Sequence, residues 1–351
     1  MITPAYSPTA TERVLPRMAL DFTTGTLDPR VTVTRALNTA TRVNSSGLVV
    51  GVNADLPRFD YDPVTLAPKG LLVEEARTNL CIRSSDLGTG WTPNSVSVST
   101  DVIASPSGAT DADSVTPSAG SAQHRLIGTQ SAVSSGVSVT HSVFAKAGGS
   151  NFVQLHDSAT ATFYANFDLA NGTVTAVNPA NGATITNYGN GWYRCTLTFT
   201  TGTTNCGGVV AMIPNGSAAR NPTWTAAGTE SVYAWGYQIE TGAFATSYIP
   251  TTTASLTRNA DVVTMTGTNF SSWYNIGAGS WYIQTNARNA ATILTAGSFS
   301  LSANTTALKK YASVYTSDQS AISLVLGVGT VMKVSYYKQA LLSAELAALT
   351  N

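Results

Sequence analysis

Gly136-Val137-Ser138-Val139-Thr140-His141-Ser142-Val143-Phe144-Ala145-Lys146 alternates with period two. Val137, Val139, His141, Val143 and Ala145 share one face, and Ser138, Thr140, Ser142, Phe144 and Lys146 share the other, which is a strand with one mostly apolar side. Trp192 to Thr200 repeats the pattern, with Tyr193, Cys195, Leu197 and Phe199 opposite Trp192, Arg194, Thr196 and Thr198. Asn190-Gly191 before it is a strong turn signal. Phe152 to Leu155, Thr162 to Leu169, Val209 to Ile213 and Val232 to Glu240 add strands at sandwich spacing, and no helical periodicity intervenes. An antiparallel jelly-roll sandwich over 76–255, in an all-β protein, is the natural closure.

On either side the pattern loosens. Prolines at positions 4, 8, 16, 29, 57, 63 and 68 interrupt residues 1–75, which read as an irregular arm with short strands at Val31 to Thr34 and Leu48 to Val52. Such an arm is expected to gain order on a partner. Residues 256–351 read as a smaller β domain, with strands at Val262 to Thr266, Ser280 to Thr285, Ala291 to Thr295 and Ile322 to Val328. It ends in a short helix that Ser343 can cap, with Glu345 in the first turn.

Composition narrows the function classes. Charged residues are 11% of 351 and hydrophobic ones 43%, so exposed strand faces must be built from Ser, Thr, Asn and Gly. Nineteen basic residues balance nineteen acidic ones, which argues against nucleic acid or anionic lipid as a partner. No apolar run is long enough to span a bilayer, and Met1 to Ala10 lacks a basic segment followed by an apolar one, so no secretion signal is expected. Cys81, Cys195 and Cys206 lack metal-site spacing and are expected to be reduced. Thr200 to Asn205 reads as a hairpin loop whose register would hold Cys195 and Cys206 apart, with Cys195 on the core face.

Catalytic motifs are scarce, with no nucleophile elbow, phosphate loop or H-E-x-x-H. His141 reads as a hydrogen-bonded core histidine, and His156-Asp157, adjacent on a strand, point to opposite sides. Asp60-Tyr61-Asp62 reads as turn hydrogen bonding and Glu74-Glu75 as plain solvation. No catalytic residue, metal or cofactor is assigned. Aromatic rings are the remaining functional groups, because sugars stack on their faces. Trp224, in Asn221-Pro222-Thr223-Trp224-Thr225, and Tyr188, in Asn187-Tyr188-Gly189-Asn190-Gly191, are the loop candidates, against the reading that loop aromatics cover cores. In Val232 to Glu240, Tyr233, Trp235, Tyr237 and Ile239 share one face, expected to be buried. The opposite face would then offer Gln238 and Glu240 as a polar groove floor for sugar hydroxyls.

Several segments together resemble a known group. Leu20-Asp21-Phe22 with Leu27-Asp28-Pro29-Arg30-Val31, and Pro57-Arg58-Phe59-Asp60-Tyr61-Asp62-Pro63 running into Lys69-Gly70-Leu71-Leu72-Val73-Glu74-Glu75-Ala76-Arg77-Thr78-Asn79-Leu80, resemble motifs of tailed-bacteriophage head-fibre, head-spike and tail-fibre proteins. Gly189-Asn190-Gly191-Trp192-Tyr193-Arg194, Trp235-Gly236-Tyr237-Gln238-Ile239-Glu240 and Ser247-Tyr248-Ile249-Pro250-Thr251 are similar to their jelly roll, a relative of carbohydrate-binding modules. Trp273-Tyr274-Asn275, Tyr336-Tyr337 and Leu342-Ser343-Ala344-Glu345-Leu346 look like the two ends of a concanavalin-like domain, here shortened. The resemblance implies a non-enzymatic virion surface protein: a fibre, spike or capsid decoration attached through residues 1–75. A tail receptor-binding protein for a bacterial surface glycan is the alternative, and a glycan hydrolase is disfavoured because the sandwich has few acids. Other virion proteins are the implied partners, and uncovered sheet edges in the shortened domain point to a homo-oligomer, by the resemblance a trimer.

Overall fold

The computed structural model describes residues 15–180, 182–296, 299–315 and 323–350. The Met1 to Ala10 start lies outside them. The chain is all-β with antiparallel sheets and closes in a helix over Ser343–Thr350. Glu345 Oε2 accepts the backbone N–H of Leu342, so the first turn is capped from Glu345 and not from Ser343. No described helix is long and apolar enough to cross a membrane.

Two compact units emerge, and both are discontinuous in sequence. One comprises Thr34–Pro68 and Glu74–Asp261; the other takes residues up to Val33, Lys69–Val73 and Val262 onward. The boundaries expected at 75/76 and 255/256 do not coincide with this division. The supposed arm is shared out because its short strands find partners far along the chain: Met18–Asp21 pairs with Lys333–Tyr336, and Leu71–Val73 pairs with Gly329–Val331. Gly70, at φ +100°, makes the second pairing possible, since a Cβ there would lie 2.3 Å from the Val331 carbonyl oxygen. Thr32–Thr34 and Val49–Val52 are strands, as read from the sequence.

The larger unit is a sandwich of two six-stranded sheets. The front sheet runs Ala183–Asn187, Trp192–Thr200, Ser138–Ala147, Val232–Thr241, Thr110–Pro117, Val96–Ala104. The rear sheet runs Thr173–Asn178, Tyr164–Asp168, Phe152–Asp157, Gly208–Met212, Arg125–Ile127, Thr92–Asn94. Val139, Val143, Ala145, Cys195, Leu197 and Phe199 meet Val153, Leu155, Phe167, Val210 and Met212 in the core, which is the face assignment that strict alternation predicts. Thr200 to Asn205 is not a hairpin. Trp192–Thr200 lies in the front sheet, Cys206 pairs with Ser131, and Gly208–Met212 lies in the rear sheet, so this stretch carries the chain across the sandwich. All three cysteines are free and buried, and burial pushes the Cys81 and Cys206 thiols up to about 12.

The strand Val232–Thr241 departs from alternation. Ser142 faces Gln238, but Phe144 faces Trp235, so Val232–Thr241 spends one extra residue there. Gly236, at φ +65°, takes up the bulge. Val232 and Ala234 before it and Tyr237 and Ile239 after it face the core, whereas Tyr233 and Trp235 turn to the outer side of the front sheet. The expected single row of Tyr233, Trp235, Tyr237 and Ile239 is thus split by the bulge between two sides, with Trp235 and Tyr237 buried on opposite faces and Tyr233 half-buried.

The Arg58 and Glu74-Glu75 segments explain themselves structurally. Arg58 pairs with Glu74 at 2.7 Å and with Asp261, Arg35 pairs with Asp261 at 2.8 Å, and Arg258 lies 3.6 Å from Glu74. Glu74 also accepts from the Ser247 N–H and hydroxyl. Glu74 is therefore buried and fully paired, not solvated as its sequence suggests, because two arginines from distant segments, Arg58 and Arg258, converge on it. Glu75 does reach the surface, against Arg77. Asn79 stitches the same region, accepting from the Cys81 and Ile239 N–H groups and donating to the Ile249 and Tyr237 carbonyls.

The smaller unit is built on Gly279–Ala296, which pairs with Phe299–Tyr315 and Gly329–Tyr337. Trp273, Trp281 and Tyr336 form its aromatic centre, with ring centroids 4.9 to 5.9 Å apart.

Candidate functional site

The outer side of the front sheet carries the site. Trp192 and Tyr233 both stand opposite Lys146, on either side of it, so Trp192, Lys146 and Tyr233 form one row across three strands. The four-residue turn after Asn187 holds Tyr188 beside the row, edge-on to Phe144 at 4.8 Å. The Gly189 N–H donates to Asn187 Oδ1 at 2.8 Å, and the Tyr188 N–H donates to the Trp192 carbonyl. The turns Ile103 to Gly108 and Ser46 to Leu48, together with Pro63, wall the row into a cleft of about 460 Å³.

The cleft floor is closely packed. Trp192 is 3% exposed and its indole N–H donates to the Ala104 carbonyl at 3.1 Å. Phe144, Trp235 and Tyr248 pack beneath as a cluster, with Phe144 5.3 Å from Trp235 and Trp235 4.6 Å from Tyr248. Tyr188 and Tyr233 remain half-buried, with ring surface available to a ligand. The lining contains Lys146 and Asn190 as its charged and amide groups and no carboxylate. Chemically this is a surface for stacking and hydrogen bonding.

Of the sequence-predicted residues, Tyr188 is in this cleft and the other three are not. Trp224 lies on Thr223–Ala226, half-buried, donates to the Met212 carbonyl at 3.0 Å and packs edge-on to His124 at 5.0 Å, so it covers the core. Gln238 and Glu240 do lie on the outer side, but both are fully buried, because the chain itself occupies that groove. Gln238 accepts the Ile249 N–H at 2.7 Å, and Glu240 accepts the Thr246 N–H at 2.9 Å and its hydroxyl at 2.5 Å. Lys146, Trp192 and Tyr233 were not read as lining residues: alternation places Lys146 and Trp192 on the outer face, but Tyr233 reaches it only because of the bulge at Gly236, and only the strand register brings the three into one row.

The acid-base candidates are committed to structure. His141 is buried, with Nδ1 3.0 Å from the Tyr237 hydroxyl and Nε2 3.9 Å from Asp157. Burial lowers its pKa to about 4 against the opposing pull of Asp157. His156 points to the other side of its strand, and burial followed by the Arg220 and Arg125 charges takes it down to about 3. Burial alone would raise Glu74, but Arg258 and Arg58 outweigh it and hold the carboxyl well below the usual range. Asp62 caps its own turn through the Val64 and Thr65 N–H groups. Among the described residues no set of His, Cys, Asp and Glu side chains is arranged to hold a metal ion.

No protein-family profile and no curated protein matches this chain. Among solved structures, the N-terminal CBM22-1-CBM22-2 tandem domain of Paenibacillus barcinonensis Xyn10C is similar over 79% of this chain and 94% of its own, at 10% identity and a TM-score of 0.27. A superposition that loose establishes no shared site.

Proposed function

We propose that this chain is a non-enzymatic adhesive protein that holds a saccharide in the cleft of Tyr188, Trp192, Tyr233 and Lys146. The supporting observation is the register row itself: aromatic surface, one ammonium and backbone turns converge in one concavity on a rigid sheet. Hydrolysis of a glycoside requires two carboxyl groups flanking the bond, and the lining carries none. The phage-like motifs support placing the protein on a virion surface as a fibre, spike or capsid decoration, with other virion proteins as partners and a bacterial surface glycan as ligand. Attachment then falls to residues 1–75, and the assembly is a homo-oligomer, a trimer by that resemblance.

The test is binding to an array of bacterial surface polysaccharides, followed by calorimetric titration of the best ligand. Tyr188→Ala and Tyr233→Ala should each weaken binding about tenfold or more, since one stacked ring contributes ~1–3 kcal/mol. Far-ultraviolet circular dichroism should be unchanged. Full-strength binding by both variants would remove the cleft from the reading. Virion proteomics with labelling on intact particles tests the location separately.

A further inference from the structure

In the larger unit Arg35, Arg58, Arg77, Arg83 and Arg258 each have a carboxylate within ion-pair distance, and Arg194 donates to the Thr246 carbonyl and the Ser142 hydroxyl. Lys146 is different. Among the described residues it has neither an ion pair nor a hydrogen bond, although it is half-buried and lines the aromatic cleft. Acids of the surrounding turns are engaged elsewhere: Asp62 accepts from the Val64 and Thr65 N–H groups, and Asp111 accepts from the Ser107 hydroxyl at 3.4 Å.

The strands and one glycine fix where this cation sits. Register sets Lys146 between Trp192 and Tyr233. Its stem runs past Gly191, where a Cβ would lie 3.3 Å from Lys146 Cε and 3.7 Å from its Cδ and Cγ. The bare turn at Gly191, φ +79°, thus gives the stem a wall to lie along, and the ammonium ends at the concavity instead of on a free arm.

That placement discriminates between classes of sugar. A ring stacked on Tyr188 and Tyr233 covers the row that includes Lys146 and takes water from the ammonium. A neutral ring leaves that charge desolvated and uncompensated, which costs free energy, whereas a ring bearing an anionic group neutralises it and adds a charge-assisted hydrogen bond. The lining holds no carboxylate to repel such a group, and Asn190 and Ser46 offer polar groups to the sugar hydroxyls.

We propose that the cleft selects acidic saccharides, those whose rings carry a carboxylate or phosphate, and that Lys146 is the residue that determines this specificity. Such selectivity rests on the saccharide reading of the cleft and narrows it to one charge class.

The test is calorimetric titration of the full chain with polygalacturonate, alginate and phosphomannan, and with dextran and the carboxyl-reduced forms of the first two as neutral probes. The native protein should bind at least one acidic probe about tenfold or more tighter than any neutral one. Saturation by a uronate or by phosphomannan identifies the anionic group. Lys146→Met keeps an unbranched stem and removes the charge, so it should lose about tenfold or more in affinity for that probe, and most of the salt dependence of binding, at an unchanged melting temperature. Lys146→Arg should recover both. Neutral probes that bind as tightly as acidic ones, or equal affinity in the native and Lys146→Met proteins, overturn the proposal, as does no binding by any acidic probe. The saccharide reading is judged by the effect of Tyr188→Ala on whichever probe binds, neutral or acidic, so the two failures are separable.

Discussion

Glu74 sits against Arg58 and Arg258, inside the larger unit. Removing its charge leaves the buried Arg258 guanidinium without a carboxylate and Arg58 with Asp261 alone, so Glu74→Gln should cost about 3–5 kcal/mol in urea unfolding. The same residue predicts a pH response. Its folded pKa is depressed, so its contribution is present above the unfolded value of 4.5 and lost as pH falls toward the folded one. His141 and His156 act in the same direction for a different reason: their folded values, about 4 and about 3, lie below the unfolded 6.5. The unfolded chain therefore binds protons first, and stability is lost as pH falls below 6.5. Thermal melts from pH 7 to pH 4 should show a steadily falling midpoint, and His156→Gln should flatten the slope. A midpoint constant over that range would contradict the burial of both imidazoles.

Among elements, Val232–Thr241 shows where reading the sequence succeeds and where it stops. Ser138–Ala147 and Trp192–Thr200 keep strict period two, and their core faces were legible residue by residue. Val232–Thr241 was legible as a buried aromatic strand, but a bulge is one extra residue against a partner strand and leaves no mark on the strand's own alternation. Gly236 between Trp235 and Tyr237 was the available hint. A Cβ there would meet Phe144 Cδ2 at 3.0 Å, and the positive φ disfavours any L side chain. Gly236→Ala should therefore cost about 1–3 kcal/mol, and Trp235→Ala about 3–5 kcal/mol as a large-to-small core change. Denaturant melts check both; a neutral Gly236→Ala would mean that the strand runs straight. The fate of Gln238 and Glu240 was illegible for a related reason, since their partners at Thr246 and Ile249 lie beyond a turn that local pattern does not place.

For the molecule as a whole, the division into units does not follow the arm boundary read from the sequence, since residues 34–68 and Glu74 fall in the larger unit. Residues 34–68 and Glu74 supply Arg35, Arg58 and Glu74 to the ion cluster and Val49 to the cover of the front sheet. A fragment starting at residue 76 should lose cooperative unfolding and expose apolar surface to dye, while a fragment of residues 34–261 should melt as a unit. A cooperative melt from the shorter fragment would restore the arm. The interleaving also sets a schedule. The larger unit is complete in sequence at Asp261, but the smaller one needs Lys69–Val73 to wait for Gly329–Val331. At ~5–20 residues per second, synthesis of the intervening chain takes on the order of tens of seconds, far longer than most domains need to fold. A nascent chain on the ribosome therefore carries a finished sandwich with an unmatched strand held open beside it. Protection of that strand during this interval, by chaperone or ribosome surface, is therefore a condition on the yield of the protein beside the stability of either unit.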